Sequence, residues 1–343
     1  MRTTVSYTSS VHYVISESAS DYYHTMPGNK LQDNIRNAII LFGICLPGFL
    51  MNLFSSIVLL RHKSFRNPFG KLVAFHTISN ASLVFLLLGW SAPLTILSSF
   101  THFDSEVFMQ INHRIGQLSI FFQECSYHIC VFISFNRFLA IGKPMLSRRV
   151  FNDRTTNYII IFTLIICSIF GFVYFLPGCN FFYDTSTDIW SFDQTSCGSI
   201  LASVDLYYNV GIFTINCIID MLTLLLLRGA NERIYKTMRN TTREEAQRRQ
   251  RREILFFSQA LINTLVYCFM LFSFHVLSTH FEDLFHVYLF TTVAWASAHS
   301  SGGLIVILFN SEIRRSIMCW RKTAKKSNMI TVCSTLPQIS TIN

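Results

Sequence analysis

Apolar residues fall in seven long runs along this chain, separated by short polar segments. The runs are Ala38–Leu60, Leu72–Ser98, Ile115–Phe135, Tyr158–Leu176, Leu206–Leu227, Ile254–Leu277 and Leu284–Phe309. A helix that crosses a bilayer needs about 20 largely apolar residues, and every run is too long for a core strand. Lipid offers no partner to an open sheet edge, so helices are the physical choice. The pattern predicts an all-α membrane protein, a seven-transmembrane helix bundle over residues 37–310. The polar, Ser/Thr/Tyr-rich stretch 1–36 reads as an extracellular disordered tail. In 311–322, Ile313, Ile317 and Trp320 recur at helical spacing with Arg and Lys opposite. That pattern suits a short amphipathic cytoplasmic helix on the membrane surface, followed by a cytoplasmic tail, 323–343.

Composition agrees with the membrane class. The chain is 51% hydrophobic and 14% charged, against about 25% charged in an ordinary soluble domain. The net charge of +9 would suit nucleic acid, but its distribution argues against that partner. Of the 28 Lys and Arg residues, 23 fall in one set of alternating segments and the C-terminal tail, and 4 in the opposite set. Cations accumulate on the cytoplasmic side, so the expected topology is N-terminus outside and C-terminus in the cytoplasm. No Cys/His spacing resembles a metal site, no catalytic constellation appears in the spans, and neither a cofactor nor an enzyme activity is expected.

The remaining cation, Arg137, closes the third run in "SFNRFLAIGKP" (Ser134–Pro144). A seven-helix bundle carrying Asn-Arg-Phe here resembles the rhodopsin-like G-protein-coupled receptors. The blocks "NRFLAIGKP" (Asn136–Pro144), "LLRHKSFRNPFGKLVAFHTISN" (Leu59–Asn80) and "LFNSEIRRS" (Leu308–Ser316) look like nematode serpentine chemoreceptors of class X. The resemblance spans residues 37–322. It implies a chemosensory receptor of the plasma membrane that binds a small external ligand in the outer half of the bundle and activates a heterotrimeric G protein. Membrane lipid is the other expected partner. It implies that Asn136 and Arg137, with Arg248 and Arg252 of the basic run "REEAQRRQRRE", form the coupling surface. Asn136 stands where the superfamily has an acidic residue, so a weakened lock on Arg137 is expected. Asn80 stands where an aspartate holds sodium, so no sodium site is carried over.

The usual disulfide from the third helix is missing, because Asn112 is not Cys. Cys179 and Cys197 share an outer segment, where an oxidising compartment favours a bridge; two free thiols are the alternative. Within the spans, Glu124 lies 12 residues before Asn136, about 18 Å up the helix. A carboxylate at that depth is costly and should face the bundle interior. His128 is one turn away on the same face. Glu124 and His128, with Tyr208, His275 and Tyr288 in the outer halves of their helices, are the candidate ligand residues; structural hydrogen bonding is the plainer reading of each. Tyr207, Asn209 and Trp295 join the lining candidates, and Cys319 beside Trp320 is a palmitoylation candidate. The rival functions are a peptide or amine receptor of the same superfamily, and a seven-helix transporter or ligand-gated channel. The latter would want internal repeats or more intramembrane charge, and the spans hold only Glu124 and Asp220.

Overall fold

The computed structural model describes residues 27–101, 103, 105–237 and 240–316; at 27–29, 230–237, 240–246, 248, 249 and 252 only the backbone is described. Seven helices are long and apolar enough to cross a membrane. They are α1 (Pro27–Arg61), α2 (Pro68–Leu97), α3 (Glu106–Gly142), α4 (Asp153–Phe175), α5 (Ser196–Thr237), α6 (Asn240–His275) and α7 (Leu284–Phe309). Local chemistry sets the starts. Asn67, Ser105, Asn152 and Asp283 each cap an N-terminus with a side-chain oxygen on a backbone N–H of the first turn. Wider helices than the apolar runs follow from the ends, where polar side chains face neighbours rather than lipid. Thus α1 starts at Pro27, and residues 27–36, expected in the tail, are helical. Asn34 is buried there and donates to Ser98 Oγ at 3.0 Å. Residues 1–26 lie outside the described ones. Helical backbone resumes at 311–316, where Ile313 is fully buried, while Ile317, Cys319 and Trp320 lie outside the described residues.

Two spans contain a wider turn. A π-helical segment interrupts α2 at Leu87–Ser91, just before Pro93, and α7 at Leu289–Val293. Such bulges rotate the helix face locally and often mark functional sites. Large side chains such as Ile39, Phe42, Ile165 and Phe269 are exposed around the bundle, which is what a lipid-facing surface requires. Inside lie two large apolar clusters, one at each end, and a small one of Ile189 and Val287 under the tip of a hairpin.

Between the two large clusters sits a polar hub on Asn80. Its Oδ1 accepts from Ser126 Oγ (2.9 Å) and Tyr267 OH (3.0 Å), and lies 2.8 Å from His299 Nδ1. Its Nδ2 lies 3.3 Å from His76 Nε2. Helices α2, α3, α6 and α7 therefore meet at one neutral amide. Asn52 ties α1 to α7 by donating to the carbonyls of His299 and Ser300. Close approach makes this contact: a Cβ on Gly303 would fall 2.4 Å from Asn52 N, and one on Gly302 2.4 Å from Asn80 Nδ2.

A two-stranded hairpin lies over one end of the bundle. Its strands β1 (Phe181–Asp184) and β2 (Ile189–Phe192) pair antiparallel, Phe181 opposite Phe192. A Cys179–Cys197 disulfide joins its base to the start of α5. The sequence reading held no strand here, since four-residue strands are too short to give a periodic signal. Arg137 lies at the opposite end.

Candidate functional site

Directly beneath the hairpin is a chamber of about 20 Å³, room for about one water molecule. Gln123 and Tyr127 of α3, Asp205 of α5, Leu271 and His275 of α6 and Trp295 of α7 contribute to its wall, and Phe181 and Phe192 roof it. The i, i+4 spacing of Gln123/Tyr127 and of Leu271/His275 keeps each pair on one helix face. Asp205 is the polar centre. Its Oδ1 accepts from Gln123 Nε2 (3.2 Å) and Asn209 Nδ2 (3.0 Å), and its Oδ2 lies 3.2 Å from His275 Nε2. Asn209 Nδ2 also reaches Glu124 Oε1 at 3.3 Å, so one amide bridges two carboxylates. Tyr127 OH, Trp295 Nε1, Asn209 Oδ1 and Glu124 Oε2 are buried without a hydrogen bond. Buried polar atoms are nearly always satisfied, so this cluster has unused capacity for a polar guest.

At the far end, Arg137 is held by polar side chains and aromatic rings together. Its Nη1 donates to Glu253 Oε2 at 3.0 Å and its Nη2 to Asn136 Oδ1 at 2.6 Å. The guanidinium sits 3.7 Å from the ring centre of Phe69 and 5.3 Å from that of Phe256. Arg137 is buried, and the pair ties α3 to α6. Higher up, Thr264 donates to Asp220 Oδ2 at 3.0 Å, a second polar tie from α6, here to α5.

With these two ends placed, similarity to known proteins identifies the class. The family model "Serpentine type 7TM GPCR chemoreceptor Srx" matches residues 42–310. The chain belongs to the Srx family of serpentine receptors. Serpentine receptor class X 45 of Caenorhabditis elegans is 25% identical over 300 residues, covering 81% of this chain and 79% of its own. Serpentine receptor class X-43 of the same organism is 23% identical over 280 residues, covering 79% and 82%. Squid rhodopsin shares the fold, with a TM-score of 0.68 at 14% identity, over 89% of this chain and 92% of its own. The protein is thus a multi-pass receptor of the G-protein-coupled type and not an enzyme.

The Srx receptor distributes the expected site residues unevenly. His275 lines the chamber, as does Trp295. Glu124 is fully buried just behind it, bridged through Asn209. His128 and Tyr208 are not chamber residues: His128 Nε2 lies 2.6 Å from Tyr208 OH, at the seam of α3 and α5 beside Cys167 of α4, and Tyr208 is 38% exposed. His128 stays beside Glu124, as the one-turn spacing implied: its Nδ1 lies 2.7 Å from the Glu124 carbonyl and 3.6 Å from Glu124 Oε2, while its Nε2 points to Tyr208 and away from the chamber. Tyr288 is buried but donates to the Asn37 carbonyl at 2.7 Å, fastening α7 to α1 beside the chamber rather than inside it. Tyr207 faces lipid, 72% exposed. Asp205 was missed, because the apolar run was taken from Leu206, one residue later. The polar pair Asp205/Asn209 at helical spacing was the available signal.

At Arg137 the structure adds a charged partner that the sequence reading did not include. Asn136 holds the guanidinium as a neutral acceptor, and Glu253 supplies the negative charge from α6. The backbone of α6 runs through Arg248 and Arg252, whose side chains lie outside the described residues.

Proposed function

We propose that this receptor engages a small external molecule at the polar cluster around the chamber beneath the hairpin, with a polar group of the guest in the chamber itself, and activates a heterotrimeric G protein at the Arg137 end. One observation carries the reading: α6 lines the chamber with Leu271 and His275 and clasps Arg137 with Glu253. The 22 helical steps from Glu253 to His275 span about 33 Å as a single helix. A guest that displaces His275 from Asp205 tilts the same rod whose other end holds the clasp. Release of Glu253 then exposes Arg137 to a cytoplasmic partner, a shift between two states that the guest binds unequally. The lopsided loop cations support a plasma-membrane topology with the hairpin outside and Arg137 inside.

The test uses full-length receptor in lipid nanodiscs with purified G protein, reading nucleotide exchange during an odorant screen. Arg137→Ala is expected to abolish ligand-evoked exchange while ligand binding persists. Evoked exchange at the wild-type level in Arg137→Ala would overturn the coupling role.

A further inference from the structure

The chamber has a roof that is fastened on several sides. Trp190 Nε1 donates to Ser91 Oγ at 3.1 Å, Tyr183 OH lies 2.6 Å from Thr95 Oγ1, and Thr292 Oγ1 donates to the Asp188 carbonyl at 3.1 Å. Asn112 Nδ2 donates to the Tyr183 carbonyl at 2.9 Å, and its Oδ1 accepts from the Tyr183 N–H at 3.2 Å. The hairpin is thereby fastened to α2, α3 and α7, and by its disulfide to α5. A Cβ on Gly116 would fall 1.7 Å from the Phe181 carbonyl, so the roof lies directly on α3.

The side wall is different. Between α5 and α6, on the face turned to lipid, runs a cleft of about 470 Å³. Leu206, Val210, Phe213 and Phe272 line it, and Leu271 lines both cleft and chamber. The Asp205–His275 pair behind Leu271 bridges the same two helices at 3.2 Å. The chamber is too small for a whole odorant, but an amphiphile needs only its head inside. The cleft wall is apolar and suits an alkyl chain. The polar cluster behind it holds two carboxylates, Asp205 and Glu124; Asn209 Oδ1 and Glu124 Oε2, the latter 3.6 Å from His128 Nδ1, are acceptors without a hydrogen bond, beside the unpaired donors Tyr127 OH and Trp295 Nε1. A head that donates several hydrogen bonds and carries positive charge complements that set.

We infer that the ligand is a lipophilic amine that enters from the bilayer between α5 and α6, its ammonium on Asp205 and its chain in the cleft. This rests on the chamber being the ligand site, as proposed above. The probe is tritiated dodecylamine, binding to full-length receptor in nanodiscs without G protein. Saturable binding is expected, with Asp205→Asn weakening it at least tenfold. Val210 is 44% exposed on the cleft, so Val210→Trp obstructs the passage without touching the chamber, and both association and dissociation should slow at least tenfold. Phe272→Ala, which widens the passage, should speed both severalfold.

Dodecanoate, with the same chain and an anionic head, should not compete, and butylamine, with the head alone, should bind at least a hundredfold more weakly. Absence of saturable dodecylamine binding, or competition by dodecanoate, overturns the ligand class. Butylamine binding as tightly as dodecylamine, or rates indifferent to both Val210→Trp and Phe272→Ala, overturns the route. Dodecylamine binding with these kinetics but never driving nucleotide exchange would sink the coupling reading and leave the cleft standing. A water-soluble odorant that drives exchange equally in wild type and Val210→Trp would do the reverse.

Discussion

The two ends of this bundle are closed by opposite means. At the hairpin end, closure is spread over a disulfide, polar ties to four helices and an aromatic stack in which Phe181 lies parallel to Trp190, which meets Trp295 edge-on. At the Arg137 end, the helices converge on one guanidinium, held by Glu253, Asn136 and the Phe69 ring. Distributed closure loses stability by increments, because each tie is replaceable by the rest. At the Arg137 end a large share of the closure runs through one charge pair, Arg137 with the half-buried Glu253, so a change at that pair acts on the whole contact between α3 and α6. The first design suits a roof that stays, the second a latch that opens.

The contrast is broken most directly at Asn112. This amide does the work of the missing cysteine: it clamps Tyr183 through both backbone groups and accepts from Trp90 Nε1 at 2.9 Å. Asn112→Ala leaves three polar groups without that partner, at about 1–3 kcal/mol for each that stays dry. A drop of several degrees in the melting temperature of detergent-solubilised receptor is expected, with the Cys179–Cys197 bridge still formed. Complete loss of folded protein would show that the roof hangs on one residue, like the latch.

The converse experiment is at Glu253. Glu253→Gln keeps an acceptor near Arg137 and removes the charge. Loss of about 1–2 kcal/mol from the closed state changes the population ratio by a factor of about 5–30. Ligand-free nucleotide exchange should rise by that order, while the melting temperature moves less than in Asn112→Ala. Unchanged basal exchange would mean that Glu253 is packing rather than a latch.

The asymmetry was only half legible in the sequence. Seven spans stand out because membrane thickness forces long apolar runs, and Arg137 because a cation closes one of them. Its counter-charge did not stand out, since Glu253 lies 116 positions away in a basic run where it reads as solvent-facing. Asn112 was read only as a lost cysteine, because a side chain that mimics a strand partner cannot be seen until the strand beside it is known. Glu124 was rightly placed in the interior on cost alone, whereas His128, one turn on, turns toward α4 and α5. Helical spacing fixes which residues share a face, and the neighbours decide what that face meets.

The smallest predicted effect concerns the tip of the hairpin. Asp188 is buried, accepts from Asn37 Nδ2 at 3.1 Å and Tyr183 OH at 3.4 Å, and has a left-handed backbone with φ 59°. Burial raises its carboxyl to about 7 from 3.8; the Asn37 and Tyr183 hydrogen bonds and Lys30 pull it back, and Asp184 pushes it further up. The folded protein therefore holds this proton over a window, between about 4 and about 7, in which the unfolded chain has released it. Where the folded state binds more protons, stability falls as pH rises. The roof should thus be firmest in acid, weaken up to about pH 7 and then level off. Between pH 6 and pH 8 the change is at most about 1.4 kcal/mol, a melting shift of a few degrees. Asp188→Asn keeps the acceptor, tolerates the left-handed backbone and removes the titration, so its melting curve should lose this slope. A wild-type slope of opposite sign, or one that survives in Asp188→Asn, would show that the roof is not tuned by this carboxyl.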